Sequence, residues 1–178
     1  MAREGFSLSV SVTTRAPRKG EQEGIHYFFV SREEFAEMAK DGLLLEWAEF
    51  CGNLYGTPKK YVEEKIASGQ NVILEIEVQG ALQVKAIYPE AVLIFLIPPS
   101  VAELKTRLTL RGTEGEKAVA GRITRAVAEM ETAKGYDYIV VNGEVHDAVS
   151  AILEIVAAER HRVLRNMELI DRFKGEIK

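Results

Sequence analysis

The 178-residue chain has a single cysteine, Cys51. No disulfide can form within it, which fits a reducing compartment without proving one, and the cytoplasm is the expected location. Long apolar runs are also missing. The longest, Ala91 to Pro99, falls far short of the ~20 residues that cross a bilayer, so no membrane anchoring is expected. Met1 to Ser7 contains no apolar h-region, and no signal peptide is expected. Histidine is scarce: His26, His146 and His161 have no ligand spacing, so a protein-held metal is not expected. Charge of one sign is nearly balanced, with a net charge of −4. Bulk attraction to nucleic acid or an acidic membrane is therefore not expected. Any phosphate site must be a local cluster of arginines.

What is present is a globular composition, 47% hydrophobic and 28% charged. The length suffices for one compact domain with a sizeable core and small inserted lobes. Asn71–Val78 and Ala91–Ile97 are β-branched and nearly continuous in apolar residues, and Tyr138–Val141 is a shorter version. Such strands predict a parallel sheet buried under helices on both faces. Phe6–Val12 alternates instead and reads as a strand of a different kind. Ser31 to Glu34 and Ser100 to Glu103 are capping boxes that open helices. Gly42 can stop the first of these, and Pro58 can open another that ends at Gly69. Glu116 to Ala133 carries Val119, Ile123, Val127 and Met130 at helical spacing. A long helix is predicted from about Val145 to Phe173, with Arg160, Arg162 and Arg165 on its solvated face. After residue 58 helices and strands alternate, which argues for an α/β sandwich. The stretch from about Val12 to Thr57 is richer in Gly, Arg and aromatics and reads as an inserted lobe.

Candidate chemistry begins at Thr13-Thr14-Arg15-Ala16-Pro17-Arg18. Two guanidinium groups three residues apart, stiffened by Pro17, can converge on one phosphate. An ordinary solvated loop is the alternative. Glu46, between Leu45 and Trp47, reads as a partly buried carboxylate that needs a partner. A guanine edge offers two adjacent donors that a carboxylate accepts and that adenine lacks. A salt bridge to a nearby Lys or Arg would satisfy it too. Glu75 and Glu77 lie two apart in the predicted strand and so on one face; a polar strand end facing water is the alternative.

Taken in order, these pieces resemble the guanylate kinases. The resemblance rests on Ser11-Val12-Thr13-Thr14-Arg15-Ala16-Pro17-Arg18, Gly24-Ile25-His26-Tyr27-Phe28-Phe29-Val30, Glu46-Trp47-Ala48 and Gly52-Asn53-Leu54-Tyr55-Gly56-Thr57. It continues through Leu74-Glu75-Ile76-Glu77-Val78-Gln79-Gly80, Pro98-Pro99-Ser100, Arg107-Leu108 and Arg111-Gly112-Thr113-Glu114, to Val140-Val141-Asn142. It implies that Ser11, Glu46 and Thr57 contact guanine, and that Arg15, Arg18, Tyr27 and Tyr55 hold the GMP phosphate. Glu75 and Glu77 are implied near the guanine and a metal. Arg107, Arg111 and Arg122 are implied at the ATP phosphates and Asn142 near the adenine, with Arg15, Arg111 and Arg122 serving catalysis. The implied reaction is phosphoryl transfer from ATP to GMP in purine metabolism, with Mg²⁺ arriving with ATP. The implied architecture is a core of residues 1–11, 58–106 and 131–178, a mixed α+β GMP lobe at 12–57 and a helical lid at 107–130.

One family feature is absent from the 178 residues: no G-x-x-x-x-G-K-[ST] phosphate loop occurs. The resemblance places that loop and its strand inside the parallel sheet. These residues by themselves are therefore expected to show little or no kinase activity. Unpaired strand neighbours are also expected at Asn71 and Ala91, with an edge open to homo-oligomer formation. The alternative is a catalytically inactive guanylate kinase-like module that binds GMP or a protein.

Overall fold

The computed structural model describes residues 5–110 and 116–176, with backbone alone at 116–118. The chain forms two compact units, Met1–Ala91 and Val92–Lys178.

In the first unit the alternating run at Phe6 does not make one strand. It divides into β1 (Phe6–Leu8) and β2 (Ser11–Thr13), which belong to different sheets. β1 pairs in parallel with β6 (Asn71–Ile73), and the Ser9 amide continues the ladder by donating to the Ile73 carbonyl at 3.0 Å. β2 enters a four-stranded sheet with β3 (Tyr27–Phe29), β4 (Leu44–Phe50) and β5 (Asn53–Pro58), in the order β3-β2-β5-β4. The split at Ser9 and Val10 feeds the chain from one sheet into the other, and alternation alone carries no signal for it.

The period of two sorts the larger sheet into two faces. Val12, Phe28, Gly56 and Trp47 are cross-strand neighbours. Helix α1 (Arg32–Lys40) covers this face: its Phe35 is 1% exposed and meets Trp47 edge-on at 6.4 Å between ring centres. Gly56 has no room for a side chain here, because a Cβ would lie 3.2 Å from the Phe35 ring. α1 opens on the capping box expected at Ser31, whose Oγ accepts from the Glu34 amide while the Glu34 carboxylate accepts from the Ser31 amide. It closes at Asp41, and Gly42 follows at φ 67°. α2 (Lys59–Ala67) starts after Pro58 and is followed by Gly69 at φ 77°, also as expected.

The strand expected over Asn71–Val78 is shorter. It ends at Ile73, residues 74–77 continue as a link, and helix α3 (Val78–Ile87) begins directly after Glu77. α3 packs on β4, with Val84, Leu45 and Val62 forming the buried centre of the unit.

The second unit pairs β7 (Ile94–Ile97) in parallel with β8 (Tyr138–Val141). Helices α4 (Val101–Leu110), α5 (Glu116–Glu129) and α6 (Val145–Glu159) accompany them, and α6 packs on β8. Among the described residues β6 has only β1 as a partner and β7 only β8. The expectation of strands buried on both faces is not met in this unit: Leu96, Ile139 and Val141 are each half exposed. A two-stranded ribbon carries too little area for cover on both sides.

The long C-terminal helix is broken. α6 stops at Glu159, a 3₁₀ turn runs Val163–Asn166, and α7 occupies Met167–Gly175. The break is built around Glu159, 5% exposed, whose carboxylate accepts from Tyr138 (2.7 Å), Arg162 (3.3 Å) and Arg165 (3.2 Å). Arg162 and Arg165 are thus partners of a buried charge rather than members of a freely solvated face. The second capping box closes by half: Ser100 Oγ accepts from the Glu103 amide, but the Glu103 carboxylate turns to Arg107.

Candidate functional site

The other face of the four-stranded sheet, opposite the one α1 covers, collects five of the candidate residues: Ser11, Tyr27, Glu46, Tyr55 and Thr57. Ser11 lies opposite Tyr27, Thr13 lies opposite both Phe29 and Tyr55, and Glu46 lies opposite Thr57. Four separate segments of sequence therefore present their polar and aromatic side chains together, because residues two apart on a strand, and residues paired across strands, share one side.

Glu46 is the most constrained of them. It is 3% exposed, and its Oε1 accepts from the hydroxyl of Thr57, itself fully buried, at 2.6 Å. Its other oxygen lies against the first turn of α3, where a Cβ on Gly80 would stand only 2.1 Å away. Burial pushes the Glu46 carboxyl above its ordinary value of 4.5; the Thr57 hydroxyl works against this, and the like charge of Glu77 adds to it. The salt-bridge alternative is not what the structure shows: among the described residues the carboxylate's side-chain partner is the Thr57 hydroxyl. A carboxylate held this way keeps acceptor capacity for an incoming pair of donors.

The arginine segment is organised by a residue that the sequence reading missed. Glu21 grips Arg15 with both oxygens, accepting from Nη2 at 2.8 Å and Nη1 at 3.0 Å. The same carboxylate also accepts from the backbone amide of Arg18 at 2.7 Å. These bonds from Arg15 and Arg18 hold Glu21 at about 2, well below its ordinary 4.5. Arg15 also donates to the Ala16 carbonyl at 2.7 Å. It stands over the Tyr27 ring at 5.3 Å and near Phe29 at 6.0 Å, a cation–π arrangement. Its pKa is raised, chiefly by Glu21, with Tyr55 adding to the effect. Three of the five guanidinium hydrogens are used by Glu21 and Ala16, leaving two for Tyr55 and for an incoming anion. Tyr27 and Tyr55 meet edge-on at 6.1 Å. Burial raises the Tyr27 phenol, and the charge of Glu75 adds to the rise. Arg18 itself is exposed.

The strand argument for Glu75 and Glu77 is corrected by the early end of β6. They lie in the link before α3, and Glu77 occupies the N-cap position of that helix without a side-chain capping bond. The charge of Glu75 is felt at Tyr27 and that of Glu77 at Glu46.

In the second unit the structure joins two predicted residues. Arg107 donates to the carbonyl of Asn142 at 2.8 Å, to that of Gly143 at 3.2 Å and to Glu103 at 2.8 Å. Arg122 sits half-buried on α5. Arg111 and the Gly112-Thr113-Glu114 connection lie outside the described residues. Among the described residues no group of three or more His, Cys, Asp or Glu is placed to hold a metal ion. No helix among them is long and apolar enough to cross a membrane.

Residues 1–159 match the profile of the guanylate kinase family. A guanylate kinase of Halalkalibacterium halodurans is 56% identical over 163 residues, covering 92% of this chain and 80% of that protein. One of Bacillus subtilis is 50% identical over 169 residues, covering 95% and 81%. Among solved structures, guanylate kinase from Anaplasma phagocytophilum matches with a TM-score of 0.79 and 38% identity, covering 91% of this chain and 80% of that one.

Proposed function

Because this chain belongs to the guanylate kinase family, we propose that its first unit is a GMP site in which Glu46 reads the guanine and Arg15 holds the phosphate. The buried Glu46–Thr57 pair is the observation that carries this reading. A buried carboxylate paired with a neutral hydroxyl leaves its charge for a ligand to satisfy. Guanine supplies N1–H and the N2 amino group side by side, and each hydrogen bond to a charged acceptor is worth about 1.5–3 kcal/mol. Adenine offers no such pair. Ser11 and Thr57 complete the base contact, while Arg18, Tyr27 and Tyr55 join Arg15 on the phosphate. Glu75 and Glu77 line the rim between them.

The reaction of this assignment transfers the γ-phosphoryl group of ATP to GMP, giving ADP and GDP. A GMP phosphate oxygen attacks the γ-phosphorus in line, the bond to the ADP oxygen breaks, and no covalent enzyme intermediate forms. Arg15, Arg111 and Arg122 supply positive charge to the spreading negative charge. Arg107 and Asn142 serve the ATP side, where two bonds of Arg107 hold the backbone after β8 and a third ties it to Glu103. Magnesium would come with the nucleotide, held chiefly by its phosphate oxygens and water with Glu75 or Glu77 at the edge, and would neutralise phosphate charge. Residues 12–57 form the GMP lobe and 107–130 the lid, and the setting is cytoplasmic purine metabolism.

The 178 residues contain no G-x-x-x-x-G-K-[ST], so binding is the direct measure of this site. Calorimetry with GMP, IMP and AMP is expected to rank them in that order, since IMP keeps N1–H but lacks the amino group. Glu46→Gln is expected to cost GMP about tenfold or more and to compress the ranking. GMP binding no tighter than AMP binding, or unchanged by Glu46→Gln, overturns the assignment.

A further inference from the structure

Three consecutive residues of β4 are held by one face of α3. Leu45 packs with Val84 in the buried centre of the unit. The Glu46 carboxylate lies against Gly80. The backbone of Trp47 is taken by the side chain of Gln83: the Trp47 amide donates to Gln83 Oε1 at 3.2 Å, and Gln83 Nε2 donates to the Trp47 carbonyl at 2.7 Å. β4 is an edge strand, so the outward amide and carbonyl of Trp47 face the position a further strand would occupy. A primary amide carries a donor and an acceptor side by side and reproduces what that strand would offer.

We propose that Gln83 is a positioning residue for guanine selection, fixing β4 on α3 so that the neighbouring Glu46 carboxylate is held at one depth and angle. The proposal rests on the reading of Glu46 as the guanine acceptor. Selection between purines needs both donors of the base to reach that carboxylate at once. A lateral slip of β4 costs the second contact before the first. Gly80 sets the limit on the other side, since a Cβ there would lie 2.1 Å from Glu46 Oε2 and 2.8 Å from its carboxyl carbon. The obstructed atoms belong to the end of a side chain rather than to backbone, so Gly80→Ala obliges the carboxylate to move. Gln83 is exposed, and its bonds replace bonds to water. Its removal therefore acts on geometry more than on stability.

The test compares GMP and IMP by calorimetry on the full chain, in wild type, Gln83→Met, Gly80→Ala and Glu46→Gln, with thermal unfolding alongside. Methionine keeps the length of glutamine without its hydrogen bonds. Gln83→Met is expected to weaken GMP roughly two- to tenfold and IMP less, so that the GMP-to-IMP preference falls at nearly unchanged melting temperature. Gly80→Ala is expected to lower the same preference while its melting temperature holds or rises, because alanine is the better helix former. Equal losses for both ligands, or an unchanged preference in both variants while Glu46→Gln abolishes it, overturn the role of Gln83. A preference unmoved by Glu46→Gln overturns the underlying reading of Glu46 instead.

Discussion

A residue's neighbours, more than its type, set its chemistry in this protein. Glu21 and Glu46 are both glutamates in the same unit, pushed in opposite directions. Two charge-assisted partners draw Glu21 down to about 2, whereas burial raises Glu46 above 4.5. For binding, the sign at Glu46 is direct. If Glu46 takes guanine's two donors as proposed, it must be ionised to do so, and GMP affinity is expected to be full well above the raised pKa and to fall as pH drops through it. The loss starts at a higher pH than an ordinary glutamate would give. The phosphate of GMP titrates as well, with a second pKa of about 6. The ratio of GMP to IMP affinity cancels that contribution, and it is expected to decline on acidification in the range above 4.5. At Glu21 the charge is structural: its paired oxygens hold Arg15 and the Arg18 amide in one arrangement. Glu21→Gln is expected to weaken GMP about three- to tenfold by loosening that arrangement, at the magnitude of one charge-assisted bond. Guanosine, which has no phosphate, is expected to bind equally well to both forms; titration calorimetry distinguishes the two ligands.

Turns and caps decide the elements. β4 and β5 are joined by only Cys51 and Gly52, at φ 50° and 77°. Two positive values in a two-residue hairpin are the requirement of a type I′ turn, which favours Asn-Gly. Cysteine in that region is strained, by about 1 kcal/mol or more. Cys51→Asn is therefore expected to raise the melting temperature by roughly 2–4 °C, measured by calorimetry or circular dichroism, with GMP affinity unchanged. The break after α6 has the opposite character, since it depends on a buried charge. Burial works against ionising Glu159, but bonds from Tyr138, Arg162 and Arg165 outweigh it and hold the carboxyl below its ordinary value. Removing the charge while keeping the shape, as in Glu159→Gln, leaves two arginines without their common acceptor. The expected result is a loss of about 1–3 kcal/mol, read by urea titration. The helix periodicity runs through Glu159 without interruption, which is why a single long helix was expected there.

At the scale of the whole molecule, the depressed carboxyls of both units make stability acid-sensitive. Each contributes fully above the unfolded value of 4.5, and that contribution is lost as pH falls through the folded value, about 2 for Glu21. Glu46 works the other way, because protonation relieves the cost of its burial. Urea midpoints taken between pH 5 and pH 2.5 are expected to drop, and to drop less in Glu21→Gln.

The short-range signals were legible because the chemistry is local. The Ser31 capping box, Pro58, Gly42 and Gly69 punctuate helices within four residues of themselves. The ordered motifs from Ser11 to Asn142 identified the family that the comparisons bear out. Other features depend on contacts that no local pattern encodes. Alternation from Phe6 to Val12 does not reveal that the strand changes sheets at Ser9. The apolar run from Asn71 does not reveal that its strand ends at Ile73 and sends Glu77 to the N-cap position of a helix. Gln83 meets Trp47 across 36 residues, and Tyr138 meets Glu159 across 21. The sequence by itself determined the family, because the ordered motifs depend only on side-chain chemistry and order. Only the tertiary structure decided that Glu46 is buried against Gly80, that Glu21 holds Arg15, and that Gln83 completes the edge of β4. Burial, shared partners and sheet edges are properties of the packed chain and exist only once distant segments have met.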